Sequence, residues 1–305
     1  MGYLSTRLTV GICAYNEELN IGKLLNSILF NQQLHLKSEV LVVCSGCTDD
    51  TIKIVQGVQK KDSRVRAIIE KERKGKASAV NHILASANGD VIIFISADTL
   101  PNKKCFTRLI SKFDDPETGI VCGKPVPTNS TSSLVGRMVQ LLWSFHDQVF
   151  IEMSNVGQLR HASEIFAIRK GIVNKIPSNT VNDDAYIALT AIKKGWRIRY
   201  DPQVIVSISG PQTIPDYFKQ RRRILWGHYQ IKKLTGKSPQ HIIHMFPLEL
   251  SKGLKLTLKL FSENRIQNVL AFLSLEFLLN YLAIIDSIIG KSYTKWSIAK
   301  TTKKS

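Results

Sequence analysis

The apolar run Val91 to Ser96 stops at Ser96-Ala97-Asp98-Thr99 and breaks on Pro101. A magnesium or manganese ion bound together with a nucleotide needs one or two protein carboxylates, because phosphate oxygens and water complete its octahedron. Asp98 alone therefore suffices as a metal ligand; it is equally well placed to cap a helix beginning near Asn102. Farther on, Asn182-Asp183-Asp184 precedes a helical pattern. Adjacent carboxylates repel, which raises one pKa and suits a general base near neutral pH, while helix capping is again the rival reading. Gln220-Arg221-Arg222-Arg223-Ile224-Leu225-Trp226-Gly227 sets three guanidinium groups beside an indole. Arginine forks match a diphosphate and an indole matches a sugar or base face, but a basic helix lying on lipid explains the run as well.

Three further clusters end or follow apolar runs: Ala14-Tyr15-Asn16-Glu17, Ser45-Gly46-Cys47-Thr48-Asp49-Asp50-Thr51, and Lys74-Gly75-Lys76-Ala77-Ser78-Ala79-Val80-Asn81. In the first two, Asn16 or Thr48 is placed to cap a helix. The third opens a helix with two lysines and a glycine, so backbone N–H groups and ammonium charge converge where a phosphate would sit, without the spacing of a P-loop. Cys44-Ser-Gly-Cys47 spells C-x-x-C, yet no second pair follows at zinc-ribbon spacing, and two small residues closing a buried strand is the preferred reading.

These clusters need a scaffold. Leu8–Ala14, Val40–Cys44, Val65–Glu70 and Val91–Ser96 read as strands, alternating with helical patterns at Leu19–Leu29, Thr51–Lys60 and Ala77–Ala87. That rhythm predicts a parallel, doubly wound sheet with ligands at the carboxyl ends of its strands. A Ser/Thr loop then leads to Leu134–Met153, either a helix over a binding cleft or a plain core helix. Glu164–Arg169 and Arg197–Ile208 read as strands, with a helix at Asp183–Lys194 between them.

The tail differs in kind. Over Leu250–Phe261, Leu250, Leu254, Leu258 and Phe261 share one face while Lys252, Lys255 and Lys259 project from the others, as in a basic helix on a membrane surface. Ile266–Ile289 is long enough to span a bilayer, but Glu276, Asn280 and Asp286 interrupt it, and carboxylates are costly at mid-membrane; an embedded or interfacial helix is the preferred reading over a soluble core helix. Lysines from Lys291 to Lys304 add a basic end suited to anionic lipid. The net charge of +18 points to an anionic partner. Nucleic acid is not expected, since no helix-turn-helix, RNA-binding or zinc module is present. No signal peptide is visible at the start, so folding in the cytoplasm is expected.

In this order and spacing, the six clusters resemble the family 2 glycosyltransferases of GT-A fold, over residues 7–235. The resemblance implies a Rossmann-like, doubly wound mixed α/β sheet: a catalytic domain at 1–235 and a membrane-associated helical region at 236–305. It implies that Ala14, Tyr15, Glu17, Ser45, Lys76, Ser96, Ala97 and Asp98 bind the donor, with Asp98 as ligand of Mn2+ or Mg2+. Asp184 matches the family's catalytic base, and Asp183, Gln220, Arg222, Arg223 and Trp226 fall at the diphosphate and acceptor end. The implied activity is metal-dependent, inverting transfer of a sugar from a nucleotide diphosphate to a lipid, lipid-linked or glycan acceptor. The implied place is the cytoplasmic face of the cell membrane, bound peripherally or anchored by the C-terminal helix. A weakened nucleotide-sugar binding protein and a polysaccharide synthase are the alternatives. Three departures stand out: Cys44 and Ser45 where the family often has acids, Ser96 in place of the first acid of Asp-x-Asp, and Trp226 two residues later than usual.

Overall fold

The computed structural model describes residues 6–34, 37–240 and 250–294. Strands β1 (Leu8–Ala14), β2 (Glu39–Ser45), β3 (Val65–Glu70) and β4 (Val91–Ser96) pair in parallel. The inner strands are apolar almost throughout because helices cover both sheet faces. Helices α1 (Ile21–Asn31), α2 (Thr51–Lys61) and α4 (Cys105–Ser111) pack on one side through Leu24, Ile28, Val55 and Phe106. On the other side lie α3 (Lys76–Ser86), α5 (Leu134–Asn155) and α6 (Asp183–Lys193), with Ile83, Phe145, Phe150 and Ile187 in the core.

The complete sheet has eight strands in the order β3-β2-β1-β4-β7-β6-β8-β5, where β5 is Thr99–Pro101, β6 Thr118–Pro127, β7 Ile165–Arg169 and β8 Arg197–Ile208. It is mixed rather than parallel throughout: β7 runs antiparallel to β4 and β6, and β5 antiparallel to β8. Hydrophobic periodicity reports burial and is blind to strand direction. Strand β6 escaped the sequence reading because Gly123, Pro125 and Pro127 weaken its pattern; the register shift at Gly123/Lys124 lets it keep pairing with β8.

Helix α7 (Ile214–Thr235) starts where the Thr213 side chain accepts from Asp216 N and ends at Gly236 in the left-handed region, φ 75°. It carries the arginine run. Then come α8 (Leu250–Glu263) and α9 (Ile266–Ile288). In α8, Leu260 is fully buried and Phe261 half-buried, while Leu254 and Leu258 are exposed. The side chains of Leu250, Lys252 and Lys255 lie outside the described residues, as does the lysine-rich end past residue 294.

Among the described residues, α9 is the one helix long and apolar enough to cross a membrane, with a mean hydropathy of 1.8. Its polar interruptions are not scattered. Glu276, Asn280 and Asp286 are all buried with Val269, Phe272 and Leu279, whereas Ile266, Leu270, Phe277, Tyr281 and Ile288 are exposed. The acids turn inward to meet α7. Arg221 holds Glu276 through Nε at 2.9 Å and Nη2 at 2.6 Å, and Tyr217 donates its hydroxyl to the same carboxylate at 3.0 Å. One turn on, Tyr229 donates to Asn280 at 2.8 Å, and Arg222 Nη2 reaches Asp286 at 2.7 Å. Two-pronged guanidinium–carboxylate pairing compensates carboxylates that would be costly in an apolar setting alone.

Candidate active site

The ends of β1, β2 and β4 open into one cavity of 870 Å³, walled by α5 and closed at its far side by α7. One end of it is built by two strand-end loops bonded to each other. Thr48 N donates to Asn16 Oδ1 at 2.8 Å and Asn16 Nδ2 donates to Thr48 Oγ1 at 3.0 Å, so neither residue caps a helix. Glu17 N donates to Thr51 Oγ1 at 2.7 Å, and Asp50 N to Glu18 Oε2 at 3.0 Å. Ser45 Oγ accepts from Lys74 N at 3.2 Å, which draws the Lys74-Gly75-Lys76 turn onto β2. Gly46, at φ 64°, lets that turn approach: a Cβ there would collide with the Arg73 backbone. The Arg73 guanidinium stands over the Tyr15 ring, 4.2 Å from its centre, as a cation on the aromatic face.

Cys44 and Cys47 are free thiols in contact, and the hydrogen bond between them, together with burial, pushes the Cys44 thiol pKa up, away from the reactive thiolate. Cys44 is buried in β2, and the Cys47 thiol points to Ala14 O at 3.6 Å.

At the centre, Lys76 opens α3 and Asp183 and Asp184 occupy the first turn of α6. Lys76 Nζ is 3.0 Å from Asp183 Oδ1. Burial works to lower the Lys76 pKa, but Asp183, Glu164 and Asp184 outweigh it and hold it above the usual lysine value. Burial, opposed by Lys76 and reinforced by Asp184, raises the pKa of Asp183. Asp184 Oδ1 accepts from Ala185 N at 2.8 Å, which fixes the carboxylate at the helix start; its Oδ2 lies 3.8 Å from His161 Nε2, a buried nitrogen with no hydrogen bond among the described residues. The Asn182 side chain does not cap α6; Nδ2 donates instead to Ile224 O of α7 at 2.9 Å. Gly227 makes room for it, since a Cβ at that position would lie 2.5 Å from Asn182 Oδ1.

Asp98 and Ala97 line the cavity with Ser96. Asp98 does not cap the next helix: the chain first forms β5, and α4 begins at Cys105 behind Lys104, with no side-chain cap. Ser96 Oγ donates to Glu164 Oε2 at 3.2 Å. From α7, Gln220, Arg222 and Arg223 line the far wall. Burial lowers the Arg223 pKa, against the pull of Glu164, Asp183 and Asp184. Arg222 is bonded to Asp286, and Lys291, Ser292 and Tyr293, just past α9, complete that wall. Trp226 stands apart from the cavity lining; its ring lies 5.4 Å from Tyr293 and its buried Nε1 has no hydrogen bond among the described residues.

Among the described residues no group of three or more His, Cys, Asp or Glu side chains is arranged to enclose a metal. The donor set around Asp98 thus does not suit a free-standing ion. It suits one that arrives with a diphosphate, whose oxygens supply most of the coordination.

The sequence model of glycosyl transferase family 2 matches residues 9–176, which takes in the strand-end loops of β1 and β2 and the Ser96–Asp98 turn. The chain belongs to glycosyl transferase family 2. The poly-beta-1,6-N-acetyl-D-glucosamine synthase of Staphylococcus aureus (strain COL) is 24% identical to it over 230 residues, 73% of this chain and 55% of that protein. The probable glycosyltransferase YdaM of Bacillus subtilis is 27% identical over 238 residues, 74% of this chain and 56% of that one. The chain thus spans about half the length of these curated relatives. Among solved structures, the mannosyltransferase PcManGT of Pyrobaculum calidifontis, in complex with GDP-Man and Mn2+, superposes with a TM-score of 0.67 at 21% identity, covering 94% of this chain and 88% of that one. The S. aureus TarS 1–349 complex with UDP-GlcNAc gives 0.53 at 15% identity, covering 94% and 93%. The fold of this family 2 glycosyltransferase is GT-A.

Two side chains facing the centre of this glycosyltransferase were not singled out from sequence. Glu164 was read only as the first residue of a strand, and His161 lies in an unpatterned stretch before it. Neither has a local signal: Glu164 meets Ser96 through the antiparallel return of β7 beside β4, and His161 meets Phe150 of α5, Asp184 of α6 and His228 of α7.

Proposed function

We propose that this family 2 glycosyltransferase moves a sugar, with inversion, from a nucleotide diphosphate to a hydroxyl of a lipid or lipid-linked acceptor at a membrane surface. The observation that carries this reading is that Asp184, Asp98, Lys76, Arg223, Tyr15 and Ser45 all line one cavity. Asp184 takes the acceptor hydroxyl proton as that oxygen forms a bond to the anomeric carbon. The bond from that carbon to the diphosphate oxygen breaks on the opposite side, and its electron pair leaves with the diphosphate. The Arg223 guanidinium and the N–H groups at the start of α3 receive that charge. A divalent ion held at Asp98 would neutralise the diphosphate further.

Several facts support the finer points. The PcManGT structure and that of glucosyl-3-phosphoglycerate synthase from Mycobacterium tuberculosis both contain Mn2+ with a nucleotide sugar. The exposed Ile266, Leu270, Phe277 and Ile288 of α9, together with the chain's net charge of +18, suit an anionic bilayer. The staphylococcal synthase favours a second reading, extension of a polysaccharide, in which the acceptor is the growing glycan.

The deciding experiment is a panel of nucleotide sugars screened by thermal shift with and without Mn2+, followed by transfer assays with the donor that binds. Asp184→Asn is expected to lower kcat by about 10²–10⁴-fold with donor affinity kept. Full activity in that variant would remove Asp184 from the reaction. Failure to bind anionic vesicles would remove the membrane part.

A further inference from the structure

Ser96 leaves the strand end of β4 without the acid expected there, yet a carboxylate occupies the neighbouring place on the sheet. Strands β4 and β7 pair antiparallel with Phe94 opposite Phe166 and Ile95 opposite Ile165. One step beyond that ladder, Ser96 stands opposite Glu164. Directly opposed residues of an antiparallel pair project on the same side and touch. The Phe94 and Phe166 rings do so at 5.1 Å, and Ser96 Oγ and Glu164 Oε2 do so at 3.2 Å.

The register thus aims Glu164 into the same cavity as Ser96 and Asp98. Ser96 is its one hydrogen-bond donor among the described residues, which leaves Oε1 for a ligand. The surroundings favour a cation there. Lys76 and Arg223 both feel Glu164, Asp183 and Asp184, two positive groups against three carboxylates, and Lys76 is already bonded to Asp183 at 3.0 Å. Arg221 and Arg222 are matched by Glu276 and Asp286. Asp98 lines the same cavity.

We propose that Glu164 is the second carboxylate of the metal–diphosphate site, supplied across strands from β7 where β4 carries Ser96. The inference rests on the nucleotide-sugar reading above. Ser96 is then a positioning residue, whose hydroxyl holds the Glu164 carboxylate beside Asp98.

The test measures Mn2+ binding directly, by the loss of the free-ion electron paramagnetic resonance signal, with UDP or GDP present, whichever raises the melting temperature. Glu164→Gln keeps the shape and removes the charge; it is expected to weaken Mn2+ binding at least about tenfold. Ser96→Asp added to Glu164→Gln, returning the acid to β4, is expected to restore most of it. Should Glu164→Gln fail to fold, Glu164→Asp, which withdraws the carboxylate by one methylene and keeps its charge, is expected to show the same loss. An affinity within twofold of wild type in a folded Glu164 variant overturns the proposal, and so does a double variant that stays as weak as Glu164→Gln. Wild-type protein that binds nucleotide but no Mn2+ overturns this inference and leaves the transferase reading standing. Absence of nucleotide binding under every condition overturns both.

Discussion

Lys76 and Asp183 meet at 3.0 Å and tie the first turn of α3 to the first turn of α6. The two halves of the cavity, one from the parallel strands and one from the mixed end of the sheet, are joined through this pair. Lys76→Met leaves the buried Asp183 carboxylate without its cation. For fully buried pairs such a break costs about 3–5 kcal/mol. Because the Lys76 side chain is 35% exposed, solvent screening reduces the expected loss to about 1–3 kcal/mol, read from urea midpoints.

The same pair gives a pH signature. The Asp183 pKa is raised above its ordinary 3.8, first by burial. The folded protein therefore holds that proton more tightly than the unfolded chain. Its contribution is full below pH 3.8 and is lost as pH rises through the raised value. Lys76 keeps its charge throughout this window, since its own pKa is raised. The stability of wild type relative to Asp183→Asn is expected to fall as pH rises above 3.8 and through the raised value, in paired denaturant titrations. A gap that stays constant or widens contradicts the assignment.

Gly227 is where α7 comes against Asn182. A methyl group there, 2.5 Å from Asn182 Oδ1, must push the residue that precedes both acids. Overpacking of this kind costs about 1–3 kcal/mol. Gly227→Ala is expected to lower kcat by roughly tenfold or more through displaced Asp184, with nucleotide affinity at the Tyr15 end within about twofold. Separate measurement of kcat and donor affinity distinguishes this from general unfolding.

Glu276 is the buried counter-charge of Arg221, with side chains 5% and 9% exposed. Glu276→Ala is expected to destabilise the protein by about 3–5 kcal/mol, and the double change Glu276→Met with Arg221→Met to recover most of that loss. Thermal unfolding of Glu276→Met, Arg221→Met and their combination, against wild type, forms the cycle that measures it.

The sequence displays most of the parallel half of the sheet, because strand β4 and its neighbours are unbroken apolar runs ended by polar turns. It also displays Asp98 and the Asp183-Asp184 pair, though as metal ligand or cap in the one case and base or cap in the other. The structure removes the capping reading of Asp98, since β5 and not a helix follows it. What stays hidden is whatever depends on strand direction or on partners far along the chain. Glu164 faces Ser96 across 68 residues, and nothing near either position announces the other. Likewise, the acids inside α9 read from sequence as interruptions of a membrane segment, because their arginines lie on a helix described as a basic face.

The pairing of α7 with α9 reaches beyond stability. Arg221 and Arg222 stand in the stretch that resembles the family's diphosphate element, while Glu276 and Asp286 belong to the tail. A chain cut after residue 235 would expose two guanidinium groups beside the reaction cavity and the apolar strip that α9 covers. The tail is therefore no detachable anchor. In a chimera that borrows its C-terminal helices from a relative, the graft functions only if it brings acids that fall opposite these two arginines. Substitutions on the two helices would have to be inherited together.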